Sequence, residues 1–164
     1  MINSPENWPA IGFSSPDNYE ELTEEEKSSI AELTEDFCII KYGDQIDRFI
    51  RGVLFQPIIG ESEVLHYGVW VSLSEKSFND YRAHFRDDQH EATYFGFLCN
   101  SLNGYDSTMN IPANVICSAE GNRPEIVPHQ SVDHPFVKDY YSGISLSQAE
   151  ERIAIGLGRR KNDA

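Results

Sequence analysis

The chain has 164 residues, enough for one domain with a real core and too few for two ordinary ones. It is 40% hydrophobic and 24% charged, and 13 Lys and Arg stand against 27 Asp and Glu for a net charge of −14. That composition is globular rather than disordered or fibrous, and the acidity excludes a phosphate-backbone reader or an anionic-membrane binder, which both need a basic face.

The charge is uneven. Residues 1–36 hold ten acids and one base, Lys27, for a net −9. Residues 37–164 hold 17 acids and 12 bases, a mildly acidic remainder. Within the first segment, Thr23-Glu24-Glu25-Glu26 has the form of a capping box, with carboxylates on the positive end of a helix dipole. A helix over 23–33 follows, with a thin apolar stripe of Ile30, Ala31 and Leu33.

Strands are expected next. Residues 37–42 are short and aliphatic-aromatic, and Gly43-Asp44 marks a turn. Residues 47–59 carry apolar side chains on both parities, as a strand covered on both faces would, with Pro57 limiting the far end. Residues 63–73 alternate cleanly: Leu65, Tyr67, Val69, Val71 and Leu73 on one face, His66, Gly68, Trp70 and Ser72 on the other. Short connections make these three an antiparallel meander.

Ser74 is a good N-cap for a helix over 74–86, whose Phe78, Tyr81 and Phe85 form one aromatic face. Residues 93–102 carry Phe95, Leu98 and Leu102 at helical spacing, and Asn103-Gly104 ends them. Short strands at 114–118 and 124–128 flank a turn at Glu120-Gly121-Asn122. Ser145 and Gln148 cap a last helix over 145–157, with Leu146, Ala149, Ile153 and Leu157 as its buried stripe, and 158–164 reads as a frayed tail. The expected class is α+β: a single domain over 1–164 with an antiparallel sheet flanked by helices, preceded by the acidic segment 1–36.

No assembled catalytic motif is present. Cys38, Cys99 and Cys117 are sparse and sit among apolar neighbours, as reduced buried thiols do. Cys99 or Cys117 beside His129 or His134 would make a nucleophile pair only if the fold joined them. His66, His84, His90, His129 and His134 show no H-x-x-x-H spacing, and no paired cysteines offer a metal knuckle, so no metal and no cofactor are expected. No glycine-rich phosphate loop opens a helix after a strand. No run approaches 18 apolar residues, and Met1 to Phe13 lacks a secretory pattern, so a cytoplasmic location is expected.

Several strings resemble a known family. They are Asp36-Phe37-Cys38, Phe49-Ile50-Arg51-Gly52, Gly68-Val69-Trp70-Val71-Ser72-Leu73-Ser74-Glu75, Phe95-Gly96-Phe97-Leu98, Leu102-Asn103-Gly104-Tyr105, Arg123-Pro124, His134-Pro135 and Gly143-Ile144-Ser145. In that order, over about residues 12–155, they resemble the bacterial domain-of-unknown-function family DUF2199. The resemblance implies a small bacterial cytosolic domain and brings no activity with it. Many relatives begin with a cysteine pair that would hold zinc; this chain has no cysteine before Cys38, so zinc is not carried over.

Three readings are weighed. The first is a non-catalytic binding protein, most concretely an immunity protein that neutralises a basic bacterial toxin, docking through Glu20, Glu21, Glu24, Glu25 and Glu26. The alternative is an enzyme or small-ligand binder with a groove near Trp70, formed with Arg51, Ser72, Arg123 and His134. A third reading makes the Trp70 face an oligomer interface. The second requires its five side chains to converge on one concavity.

Overall fold

A computed structural model describes residues 9–119 and 123–163, with side chains through Leu157. The expected turn at Glu120-Gly121-Asn122 lies outside the described residues. In chain order the elements are β1 (Ile11–Gly12), α1 (Asp17–Glu20), α2 (Glu24–Ile30), β2 (Ala31–Leu33), β3 (Phe37–Tyr42), β4 (Gln45–Pro57) and β5 (Val64–Leu73). There follow α3 (Glu75–Ala83), β6 (Ala92–Leu98), β7 (Pro112–Cys117), β8 (Glu125–Pro128), α4 (Pro135–Ser142) and α5 (Leu146–Asp163).

The sheet closes on itself. Strands β4 to β8 pair antiparallel with their chain neighbours, and β8 returns to pair with β4. An odd number of up-and-down strands brings the last back in the direction of the first. The closing pair is therefore parallel, through Val53 and Glu125, with Val53 N–H donating to Pro124 O at 2.9 Å. The result is a five-stranded mixed barrel. β3 and β2 extend the sheet beyond β4, and β1 adds parallel to β5.

This overturns the expected open antiparallel sheet flanked by helices. The α+β reading took chain-adjacent pairing as the whole topology, and it missed both parallel pairs. The expected helix 93–102 is strand β6: Tyr94, Gly96 and Leu98 are buried, while Phe95 and Phe97 point out of the barrel. The expected helix 23–33 ends at Ile30, and Ala31–Leu33 pairs with Cys38–Ile40 as an edge strand. Helix α3 stops at Ala83 rather than 86, and α5 runs to Asp163 instead of stopping at 157, with Leu157 exposed rather than in its buried stripe. Helices α1 and α4 and strand β1 were not expected at all.

Period-two burial fills the barrel. Ile50, Gly52, Leu54 and Gln56 of β4 face in, as do Leu65, Tyr67, Val69 and Val71 of β5. Val115 of β7 and Ile126 of β8 complete the interior. Two glycines permit strand approaches that no side chain would. A Cβ at Gly52 would lie 2.6 Å from Ile126 Cδ1 and 2.9 Å from Pro124 O, across the closing seam. A Cβ at Gly96 would lie 2.7 Å from Ser72 O.

Side chains close what the ladders leave open. Asn100, fully buried, accepts from Trp70 N–H at 2.7 Å and donates to Ser15 O at 3.0 Å, strapping the N-terminal segment across the barrel wall. Gln56, also buried, donates to Asp139 O of α4 at 2.8 Å, so α4 plugs one barrel end with Phe136 and Val137. Gly52→Ala forces the β8 backbone away from β4. It should cost about 2 kcal/mol or more, read as a lower urea midpoint with unchanged slope.

Candidate functional site

The groove expected near Trp70 does not assemble. Trp70 is wholly buried, and its indole Nε1–H donates to Phe13 O at 2.9 Å. Arg51 lies 5.8 Å from its ring and donates to Glu35 O at 3.3 Å. Burial holds the Arg51 guanidinium below its ordinary pKa, and the nearby Arg123 lowers it further. Arg123 binds two acids at once, Asp36 at 2.8 Å and Glu35 at 3.2 Å. Ser72 follows Trp70 by two residues on β5 but lines a different groove, beside Phe95 and Phe97. His134 is elsewhere again: its Nδ1 caps α4 by accepting from Phe136 N–H at 3.0 Å, and its other ring nitrogen meets Ser107 O. The structure joins Arg51, Trp70 and Arg123; Ser72 opens onto a different groove, and His134 sits at the start of α4.

The thiols are chemically quiet. Burial pushes Cys38 up to about 12 and Cys99 and Cys117 up to about 11, so each is a neutral thiol at pH 7. Neither suggested histidine meets a cysteine: His129 contacts Asn114 Oδ1 at 2.9 Å, and His134 is the α4 cap.

The five acids of the N-terminal segment lie on and between α1 and α2. Glu26 and Thr23 form the capping box, and Glu20 and Glu24 lie 3.8 and 3.3 Å from Lys27. Glu20, Glu21, Glu24 and Glu25 are exposed. The segment leans on the β3–β4 hairpin, where Tyr42 is pushed up by burial and by the carboxylates of Asp47, Glu21 and Glu26.

Asp47 is also on the rim of a groove of about 370 Å³, lined by Ile46, Arg48, Ser72, Ser77, Phe95 and Phe97 among others. Phe95 is 51% exposed, Phe97 38% and Ile46 38%, and the two phenyl rings meet edge to face at 5.0 Å. Aromatic pairs left in water on a strand face are rare unless something covers them. Sequence reading missed them because a helical spacing was assigned where a two-residue period holds.

A second concavity sits at the other end of α3. It encloses about 240 Å³ between Tyr81, His84, Phe85, His90, Cys117 and Arg123, with Asp36 and Asp87 on its wall. Beside it, Tyr94 donates its phenolic proton to Asp80 Oδ2 at 2.6 Å, and His90 Nε2 lies 2.9 Å from the same phenol oxygen. The imidazoles of His84 and His90 stack at 4.2 Å with 4° between their planes. The Tyr94 hydrogen bond, aided by the two histidines, holds Asp80 below the usual carboxylate range.

Residues 3–144 match the family model of an uncharacterized protein conserved in bacteria, DUF2199. The chain belongs to that family. No curated protein and no solved structure matches it. Among the described residues of this DUF2199 chain, no helix is long and apolar enough to cross a membrane.

A carboxylate with a depressed pKa adds stability that is present above its unfolded value and is lost as pH falls through its folded value. Tyr94→Phe removes the leading cause at Asp80. An NMR titration of the Asp80 carboxyl should show its midpoint rising toward the ordinary range, and an unmoved midpoint would refute the role given to Tyr94.

Proposed function

We propose that this protein is a non-catalytic, cytoplasmic binding protein whose docking face is the outer wall of β6 together with the acidic α1–α2 segment. The observation that carries this reading is the exposed Phe95–Phe97 pair with Ile46, set beside the carboxylates of Asp47, Glu21 and Glu26. Rigid aromatic anchors near a charged rim are how protein interfaces divide affinity from steering. Arg48 in the groove is paired with Glu75 and the adjoining α1–α2 segment is acidic, which favours a basic protein surface with an apolar centre as the partner. A basic toxin from the same bacterium, neutralised by this chain as its immunity protein, is the most concrete partner of that chemistry.

The reading is tested by co-expression with the product of the adjacent gene, followed by kinetics on the purified complex. Phe95→Ser with Phe97→Ser should raise the dissociation constant about 30-fold or more, with the urea midpoint measured alongside because both rings are only partly exposed. Glu21→Gln, Glu26→Gln and Asp47→Asn together should slow association about tenfold at low salt, with the difference fading in high salt. Gln at position 26 keeps the capping box, so the helix is not disturbed. A complex that forms equally well with all five substitutions would rule this face out as the docking surface, and a neighbouring product that is neither bound nor neutralised would end the immunity form.

A further inference from the structure

The polar cluster at the C-terminal end of α3 has the donor set of a metal centre. One donor atom from each of Asp80, His84 and His90 lies within 4.8 Å of the others. His84 Nδ1 is 3.6 Å from Asp80 Oδ1, and His90 Nε2 is 3.8 Å from Asp80 Oδ2. A tetrahedral ion with bonds of roughly 2.0–2.1 Å sets its ligand atoms about 3.3 Å apart. The three donors are near enough for one ion once the two imidazoles turn out of their parallel stack, so that both ring nitrogens face it.

The backbone explains why the three meet. Asp80 and His84 are four residues apart on one face of α3, and His84 is its C-cap. The chain then turns through Asp87, whose amide bonds to His84 O at 2.9 Å, and returns His90 over the His84 ring. Tyr94, on β6, grips Asp80 Oδ2 from behind, as a second ligand shell fixes a carboxylate.

The protons of the ion-free cluster are equally definite. Tyr94 gives its proton to Asp80, so its oxygen accepts from His90 Nε2–H. His84 Nδ1 faces the Asp80 carbonyl at 2.9 Å and donates to it. Binding an ion would displace both imidazole protons from these partners. The two imidazoles are thus held by a phenol and a backbone carbonyl rather than by the Asp80 carboxylate, and a shared cation would take all three side chains as ligands.

We propose that Asp80, His84 and His90 bind one divalent first-row transition cation, with Tyr94 orienting the carboxylate. Two imidazoles and a carboxylate select such an ion over Mg²⁺ or Ca²⁺, which prefer all-oxygen shells. Three protein donors leave a fourth position for water. His84 and His90 also line the 240 Å³ cavity, which gives that position access to solvent. This centre is separate from the docking face, which lies at the N-terminal end of α3.

The test uses the full chain, stripped with a chelator and titrated with Zn²⁺ by calorimetry and with Co²⁺ by visible absorption. One equivalent of each ion is expected, with Co²⁺ giving ligand-field bands of tetrahedral strength. His84→Gln and His90→Gln should each weaken Zn²⁺ binding about 100-fold or more, and Tyr94→Phe about 10- to 100-fold. Cys117→Ser and Phe95→Ser should leave it unchanged, because neither residue is a ligand. Absence of saturable one-to-one binding in the unaltered protein would overturn the proposal. So would the same affinity and spectrum in His90→Gln, or loss of the site in Cys117→Ser.

Discussion

The fold depends on the approach of β8 to β4 at Gly52. Without a side chain there, Ile126 packs onto the β4 backbone, Pro124 O reaches Val53 N–H, and an up-and-down run of strands becomes a barrel. Closure removes two edges that would otherwise stand open, and it leaves β2 as a short edge rich in exposed side chains. It also creates the inside and outside that the remaining chemistry uses.

The consequences are visible at the two ends of α3. At its start, Ser74 and Ser77 border the groove under Phe95 and Phe97. At its finish, His84 turns the chain toward His90 and the smaller cavity. Phe37 links the two, touching Phe78, Tyr81 and Phe85 in turn, so the helix is fixed by aromatic contacts along one side. A rigid element with a different chemistry at each end would keep the proposed docking face and the proposed ion site apart.

Legibility followed from how local each feature is. The alternation of Leu65, Tyr67, Val69 and Val71 reads directly as a strand with one buried face, and Ser74, Thr23 and Ser145 mark helix starts that the backbone uses. Residues 93–102 misled because Phe95 and Phe97 are apolar yet face water, which erases the binary pattern and leaves an accidental helical spacing. Places where pattern and burial disagree are where function tends to reside. The barrel was illegible because its seam rests on one glycine and a partner far along the chain. The histidine cluster was illegible because its members straddle a helix end, so no fixed spacing announces them. Trp70 gave the opposite lesson: a mixed strand face suggested a groove, and the N-terminal strap with Arg51 covers it.

The parallel seam also imposes an order in time. Val53 must wait for Glu125, about seventy residues later, whereas the pairs within the meander need only short turns. The entropic cost of joining ends rises only slowly with loop length, but contacts this distant form slowly. The seam thus sets the longest-range contact of the barrel, and the folding rate should respond to substitutions there more than to those in the hairpin turns.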